Sequence, residues 1–202
     1  MFTKRLLALM IAVACAATGV FAQAGQTQPT GPDPNQPAAE SIYKHIPADC
    51  LGFVATRNVR DLLKNVQIFA GEIGMGEQME AMSPGGLLPL IAMAFQMDEG
   101  YNPNGGAALL VLDFEKAGID VDKMFEEPDP DMVPPIVILL AGKSAETAFP
   151  TLAQKGEDGK VTVMFPMGDL PPMEAVQMGD YIALSPNPKA LTLMKGGTSI
   201  EE

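Results

Sequence analysis

Residues 136–149, IVILLAGKSAETAF, decide the fold. The stretch opens with an apolar, mostly β-branched run that predicts a buried strand at residues 136–140. Gly142 and Lys143 then break the run, and Ser144 follows as a suitable helix N-cap, because its hydroxyl oxygen can accept a hydrogen bond from a free amide of the first turn. Beyond Ser144 the apolar residues recur at helical spacing: Ala145, Ala148, Phe149 and Leu152. The stretch therefore predicts a strand, a turn and a helix.

The tripeptide Gly142-Lys143-Ser144 also resembles the end of a phosphate-binding loop, so nucleotide binding is the first alternative. Such a loop needs a second glycine six positions before its lysine, since the backbone amides must curl around the phosphate. That position is Val137, in the middle of the predicted strand. We therefore interpret the tripeptide as a turn and a helix cap.

The same order of strand, turn and helix occurs twice more. Residues 51–56 predict a strand, with Asn58 as the cap of a helix. The apolar residues of this helix recur at helical spacing: Val59, Leu62, Leu63 and Val66. Residues 181–184 predict another strand, with Asn187 as a cap and Pro188 at the first helical position, where the missing N–H costs nothing. Three such units predict helices packed against a sheet.

The remaining segments complete the predicted fold. Residues 87–97, LLPLIAMAFQM, are apolar on nearly all sides and too few to span a bilayer, so they predict a buried helix. Residues 107–114, AALLVLDF, are typical of a strand covered on both faces, and the acidic, proline-rich residues 126–135 predict a loop. Two short strands are predicted at residues 160–165 and 173–177. The prediction is an α+β fold with a mixed or antiparallel sheet of about six strands and about four helices.

The N-terminus predicts export. Residues 1–24 combine a basic start at Lys4 and Arg5 with a short apolar run and small residues, which is the pattern of a signal peptide cleaved after Ala22 or Ala24. The alternative is lipoprotein processing at Cys15, which would anchor the chain to a membrane; the apolar run continues well past that residue, so we favour simple cleavage. The predicted location is periplasmic or extracellular.

Composition divides the rest of the chain into three parts. Residues 25–41 are rich in proline and glutamine and poor in large apolar side chains, so they predict a disordered linker. Residues 42–195 carry the predicted elements and form one α+β domain. Residues 196–202 are predicted to be a disordered tail.

Charge and cysteine content exclude several classes of function. The formal charge is −12, and removal of Lys4 and Arg5 with the signal peptide would bring it to −14. We therefore expect no nucleic-acid binding, since no cluster of lysine and arginine is present to contact phosphates. Of the two cysteines only Cys50 would remain after cleavage, so no internal disulfide is expected.

A catalytic reading rests on His45, the one histidine, and on Cys50 five residues later. A cysteine nucleophile needs its base within hydrogen-bond reach, and these residues belong to a loop and to the start of an apolar strand. We favour a packed structural thiol, with an intermolecular disulfide of Cys50 as the next alternative. The chain lacks a Gly-x-Ser-x-Gly elbow and a dinucleotide fingerprint, so we predict no enzyme, no cofactor and no catalytic residues.

Two metal sites can be considered. Asp120 and Asp122 match the first ligands of a helix-loop-helix calcium site, but Met124 and Phe125 break the pattern. A looser calcium site would use Glu126, Glu127, Asp129 and Asp131. Copper(I) could instead bind thioethers at near-helical intervals, although methionine is also a core filler. The methionines concerned are Met75, Met79, Met82, Met93 and Met97.

Several segments together resemble a widespread group of bacterial exported proteins of unknown function. They are HIPADCLGFVATRNVRDLL at 45–63, NPNGGAALLVLDF at 102–114, PPIVILLAGKSAETAF at 134–149 and MGDYIALSPNPKAL at 178–191. Domains of that group open with Pro-Ala-Asp-Thr and close with a Gly-Asp-Tyr…Ser-Pro-Asn-Pro element, whereas this chain has Cys50 in place of the threonine. Members of the group are often longer and carry the domain more than once. The resemblance implies a non-enzymatic envelope or extracellular protein.

The sequence thus predicts an exported structural or interaction module of the bacterial cell envelope, with no membrane insertion after signal removal. The expected partner is an unknown protein or a second copy, and the apolar residues 87–97 are one surface through which two copies could pack. The alternative is an envelope protein that binds copper(I) or calcium.

Overall fold

A computed structural model of the chain describes residues 37–83, 85–122, 132–166 and 170–201. The predicted signal peptide, Cys15 and most of the predicted linker lie outside the described residues. The same holds for the four acidic residues of the looser calcium site, Glu126, Glu127, Asp129 and Asp131.

The described residues contain seven strands and five α-helices, preceded by a short 3-10 helix at Ile42–His45. The strands are β1 (Gly52–Thr56), β2 (Ala107–Val111), β3 (Ile136–Ala141), β4 (Ala153–Lys155), β5 (Val161–Val163), β6 (Met173–Met178) and β7 (Tyr181–Ser185). The helices are α1 (Val59–Glu72), α2 (Gly76–Met82), α3 (Leu87–Ala94), α4 (Ala145–Ala148) and α5 (Pro188–Gly196).

All seven strands form one open sheet in the order β1-β2-β3-β7-β6-β5-β4. Every neighbouring pair is antiparallel, so the α+β prediction is confirmed and the sheet is the antiparallel kind. The last strand, β7, lies between β3 and β6 and joins the two halves of the sheet. All five of its residues are buried, as expected for a central strand covered on both faces.

Each face of the sheet carries its own apolar core. Side chains such as Leu110, Leu139 and Ala183 form the core of the first face with residues of the 3-10 helix and α5. Side chains such as Ile182, Leu184 and Val163 form the core of the second face with residues of α3 and α4. The sheet is therefore the middle of three layers, as its alternating side chains require.

The three predicted strand-turn-helix units are present, and their caps act as predicted. The Asn58 side chain accepts a hydrogen bond from the amide of Asp61, and Ser144 accepts one from Thr147. Asn187 accepts from the amides of Lys189 and Ala190, with Pro188 in the first turn. These bonds satisfy amides that the first helical turn leaves without a backbone partner.

Two predicted elements have different limits. The helix after Ser144 ends at Ala148 because Pro150 follows within two residues, and a proline restricts the residue before it to extended conformations. Leu152, expected in that helix, instead leads into β4, a three-residue strand that the prediction of about six strands lacked. Helix α2 was also not predicted, since Gly76 and a polar first turn give weak helical signals.

Two predictions about burial were wrong. Strand β2 was expected to be covered on both faces, but its residues alternate between buried and half-buried. Helix α3 was expected to be buried along residues 87–97, but it ends at Ala94, and Met93 is 47% exposed. For β2 the cause is an incomplete second face: its core is centred on β5, β6 and β7 and reaches β3 only with partly buried residues, whereas Val54 of β1 stays open to solvent. Helix α3 forms part of the outer layer on this face, so only its side toward the core is covered, at Ala92.

Across the described ranges, no helix is both long enough and apolar enough to cross a bilayer.

Candidate functional site

Helix α1 carries a row of apolar side chains that other parts of the described chain leave uncovered. Leu62, Val66, Phe69 and Ile73 are 46%, 41%, 60% and 54% exposed. Their spacing of four, three and four residues places them on one face of a helix with 3.6 residues per turn. We call these four residues the α1 stripe.

The α1 stripe is exposed because the rest of the described chain covers α1 only along one border of the stripe. Val59 and Ala70, the buried residues of α1, lie one helical turn from Leu62 and Val66 respectively, and the helix packs against α2 and α3. The predicted helical spacing of Leu62 and Val66 is thus confirmed, but neither residue enters a core. An amphipathic helix normally buries its apolar face, so an uncovered one indicates a contact surface.

Strand β1, which immediately precedes α1, is also apolar and exposed. It pairs with β2 on one side and forms an outer edge of the sheet. Leu51, Phe53 and Val54 are 62%, 43% and 74% exposed. We call these three residues, together with the outer backbone of β1, the β1 edge.

A polar cluster lies where the described chain begins. Glu40 Oε1 accepts a hydrogen bond from His45 Nε2 at 2.9 Å, and the backbone N–H of Glu40 donates to Asp180 Oδ2 at 3.2 Å. The Tyr181 hydroxyl donates to the backbone oxygen of Glu40 at 2.7 Å. Gly179, with φ +57°, leaves room beside the Glu40 carboxylate that a Cβ atom would fill. The cluster fastens the entering chain to the β6–β7 turn.

The charges and hydrogen bonds of this cluster stabilise the contact between Glu40 and the β6–β7 turn. The hydrogen bond from His45, the hydrogen bond from the Asp180 amide and the nearby Lys44 charge hold the pKa of Glu40 below its ordinary value of 4.5, against an opposing effect of burial. Burial raises the pKa of the Tyr181 hydroxyl. Each polar group is already bonded within the cluster, so the arrangement stabilises the chain entry and presents no free acid or base.

The proposed pair of Cys50 and His45 is not assembled as a nucleophile and base. His45 bonds to Glu40, and its ring lies 5.1 Å from the Tyr181 ring centroid. Cys50 is half-buried against the core of the first face, and burial followed by the charge of Asp49 raises the pKa of its thiol. A thiol with a raised pKa is a poor nucleophile, which favours the structural interpretation of Cys50.

The methionines of the copper hypothesis have divergent environments. Met97 is 5% exposed and belongs to the core of the second face, so it acts as a core filler. Met75 precedes α2 and is 46% exposed, Met79 is half-buried on α2, and Met93 lies exposed on α3. The side chain of Met82 lies outside the described part of the chain.

The acidic residues Asp120 and Asp122 line a shallow depression of about 340 Å³. Its other lining residues are Glu115, Gly118, Ile119 and Val121. Among the described residues, no group of three or more His, Cys, Asp or Glu side chains has the arrangement of a metal site. The remaining predicted calcium ligands, at residues 126–131, lie outside the described part of the chain.

Comparison of the chain with protein-family models, with curated proteins and with solved structures gave no match.

The two apolar surfaces were not predicted as sites. The helical spacing of Leu62 and Val66 was visible in the sequence, and it extends to Phe69 and Ile73. The missing information was which side of α1 meets the rest of the chain, because a buried and an exposed apolar row have the same spacing. The position of β1 at the edge of the sheet also depends on strand pairing between residues that are far apart in sequence.

Proposed function

We propose that the protein is an exported, non-enzymatic interaction module of the bacterial cell envelope that binds protein partners through the β1 edge and the α1 stripe. One observation carries the proposal: seven large apolar side chains on two consecutive elements are between 41% and 74% exposed. Exposed apolar patches of this kind mark interaction surfaces.

The size of the surface supports this role. The four half-exposed side chains of the α1 stripe, at roughly 100 Å² each, offer about 400 Å² of contiguous apolar surface, within the ~300–600 Å² of the largest and often functional patch on a typical monomer. The chain does not need these side chains for its own cores, which are formed by other residues on both faces of the sheet.

Export is supported by the sequence of residues 1–24 and by the resemblance to exported bacterial proteins. A fractionation experiment tests it: we expect the chain in the envelope fraction or the medium, with its mature N-terminus at Gln23 or Gly25. Accumulation of the uncleaved chain in the cytoplasm would contradict export.

Site-specific photo-cross-linking in the native host tests the interaction role. A photoreactive residue at position 69 or 73 lies on the α1 stripe, whereas one at position 64 lies at an exposed position on the opposite side of the same helix. We expect protein adducts from positions 69 and 73 and much weaker ones from the control position. Equal adducts from all three positions, or none from the stripe, would contradict an interaction surface on α1.

The second candidate function is calcium binding. Asp120 and Asp122 line one depression and carry hard oxygen ligands of the kind that calcium takes, although the described carboxylates around it are not arranged as a metal site by themselves. Native mass spectrometry with added calcium tests it, with the Asp120→Asn/Asp122→Asn variant as the comparison. One calcium ion per chain that the variant loses would support the candidate. Copper(I) binding has fewer candidate ligands than the sequence indicated, because Met97 belongs to the core of the second face. Native mass spectrometry with added copper(I) tests this alternative.

A further inference from the structure

We propose that the β1 edge pairs with the β1 edge of a second copy, in antiparallel orientation about a two-fold axis at Val54. The inference rests on the proposed interaction role and names one partner for it. It would join two seven-stranded sheets into one continuous sheet across the interface.

The backbone of β1 has the geometry for this pairing. The amide of Leu112 bonds to Pro135, and that of Ala141 bonds to Gly106, so the even-numbered residues of β2 direct their backbone groups toward β3. Backbone direction alternates along a strand, so the odd-numbered residues of β2 face β1. Their partners in β1 are Gly52, Val54 and Thr56. Phe53 and Ala55 therefore direct their N–H and C=O groups outward, away from β2.

One register uses all of these outward groups. With Val54 opposite Val54 of the second copy, Phe53 of each chain lies opposite Ala55 of the other, and the two pairs exchange about four hydrogen bonds. The Val54 side chains then meet in a non-hydrogen-bonded pair, where side chains approach most closely. Large Phe53 facing small Ala55 avoids a clash on the other face of the sheet.

The two outer edges of the sheet differ in a way that favours pairing at β1. Strand β4, the other edge, has three residues, of which Gln154 and Lys155 are polar and exposed. Short strands and lysine are common devices against edge pairing. Strand β1 is longer, with the uncharged sequence GFVAT. An edge without such a device is a template for another strand.

Charge does not oppose a second copy at this edge, although the chain as a whole is acidic. The charged residues that flank β1 are engaged within their own chain. Asp49 forms an ion pair with Lys116, and the Arg57 guanidinium lies 5.3 Å from the Tyr43 ring centroid. The strand between them carries no charge to repel its own copy.

Disulfide trapping tests the proposed register. The Val54→Cys variant, in a Cys50→Ser background and purified after export of the full-length precursor, places two thiols opposite each other at a separation that a disulfide can span. The control is Gln154→Cys in the same background, on the exposed β4 edge. We expect Val54→Cys to form a covalent dimer roughly tenfold faster than the control at equal micromolar concentration. Equal rates would overturn the proposed register.

A second variant tests the dimer without a cysteine. Val54→Glu should convert a dimer seen by native mass spectrometry into a monomer, because it places two carboxylates opposite each other. The side chain is 74% exposed, so the melting temperature of the monomer should change little. Gln154→Glu should leave the dimer intact. A native chain that is monomeric would overturn the inference. This outcome is also the one expected if other residues of the same chain cover the β1 edge. A dimer that persists in Val54→Glu would overturn the inference as well.

These outcomes are separate from those of the proposed function. A monomer that still gives photo-adducts from position 69 would refute β1 pairing and retain the interaction role. A trapped β1 dimer without stripe adducts in the envelope would support β1 pairing and restrict the role to self-association.

Discussion

Glu40 and Asp180 are 140 positions apart in sequence, yet the backbone N–H of Glu40 donates to Asp180 Oδ2 at 3.2 Å. The Glu40 side chain completes the contact, since its Oε1 accepts from His45 at 2.9 Å and from the Asp180 amide at 3.4 Å. The point where the chain enters the domain is therefore fixed to the turn between β6 and β7.

We expect Glu40→Gln to lower the melting temperature at pH 7, because the hydrogen bond from His45 stabilises the ionised carboxylate. The folded-state pKa of Glu40 is depressed, so this stabilisation is present above the ordinary value of 4.5 and is lost as the pH falls through the folded-state pKa. The difference in melting temperature between Glu40→Gln and the native chain should thus shrink below about pH 4.5.

Glu157→Gln is the matched control for this measurement, since Glu157 lies exposed in the turn between β4 and β5. We expect it to melt like the native chain throughout. A Glu40→Gln deficit that stays constant down to pH 3 would show that the carboxylate charge is not the cause.

Cys50 should react slowly with alkylating reagents. Burial raises the pKa of its thiol, so a smaller fraction is thiolate at pH 8 than in an unfolded chain. We expect iodoacetamide to label Cys50 several-fold faster in urea than in buffer, as measured by mass spectrometry of the chain from which the signal peptide has been removed. Labelling at equal rates in both conditions would identify an accessible thiol and revive the intermolecular disulfide.

Substitutions of a buried and an exposed phenylalanine should have different effects on stability. Phe149 is 0% exposed and packs edge-to-face on Phe165 at 5.5 Å, so Phe149→Ala should cost about 3–5 kcal/mol of unfolding free energy. Phe69 is 60% exposed, so Phe69→Ala should change the unfolding free energy by no more than about 0.5 kcal/mol. Urea denaturation of both variants provides the comparison. A large loss for Phe69→Ala would place the α1 stripe in the core of the folded chain.

Two helix caps should differ in their contribution to stability. Asn187 is 8% exposed; it accepts from the Lys189 and Ala190 amides and donates to the Val133 carbonyl oxygen at 3.1 Å. Asn187→Ala should therefore cost about 1–3 kcal/mol, because it also removes the partner of that carbonyl oxygen. Asn58 caps α1 through one side-chain bond to the Asp61 amide, and Asn58→Ala should cost about 1 kcal/mol. Equal losses in denaturation would contradict a special role for the Val133 contact.

Local signals predicted the parts of the fold that depend on neighbouring residues. The apolar run at residues 136–140 and the capping residues Ser144 and Asn187 specify a strand or a helix start within a few positions. The α+β class followed from their repetition. The three-residue strand β4 gave no such signal, since its sequence AQK has neither alternation nor β-branched residues and is a strand because it pairs with β5.

The candidate surfaces depend on information that no local pattern holds. The spacing of Phe69 and Ile73 is the same whether a helix turns them inward or outward, and in α1 only Val59 and Ala70, along one border of the stripe, are buried. The polar cluster similarly requires Glu40 to meet Asp180 and Tyr181 at the far end of the chain. Such relationships are set by tertiary packing and not by sequence spacing.

The position of β7 also determines when the sheet can form. Strands β3 and β6 each need β7 as a neighbour, so the two halves of the sheet stay unjoined until residues 181–185 have been made. Closing such long-range pairs costs chain entropy before their contacts form, which makes folding comparatively slow. Under the proposed export, this late-made strand would delay the completed fold until almost the whole domain has been synthesised, a delay that suits translocation before folding.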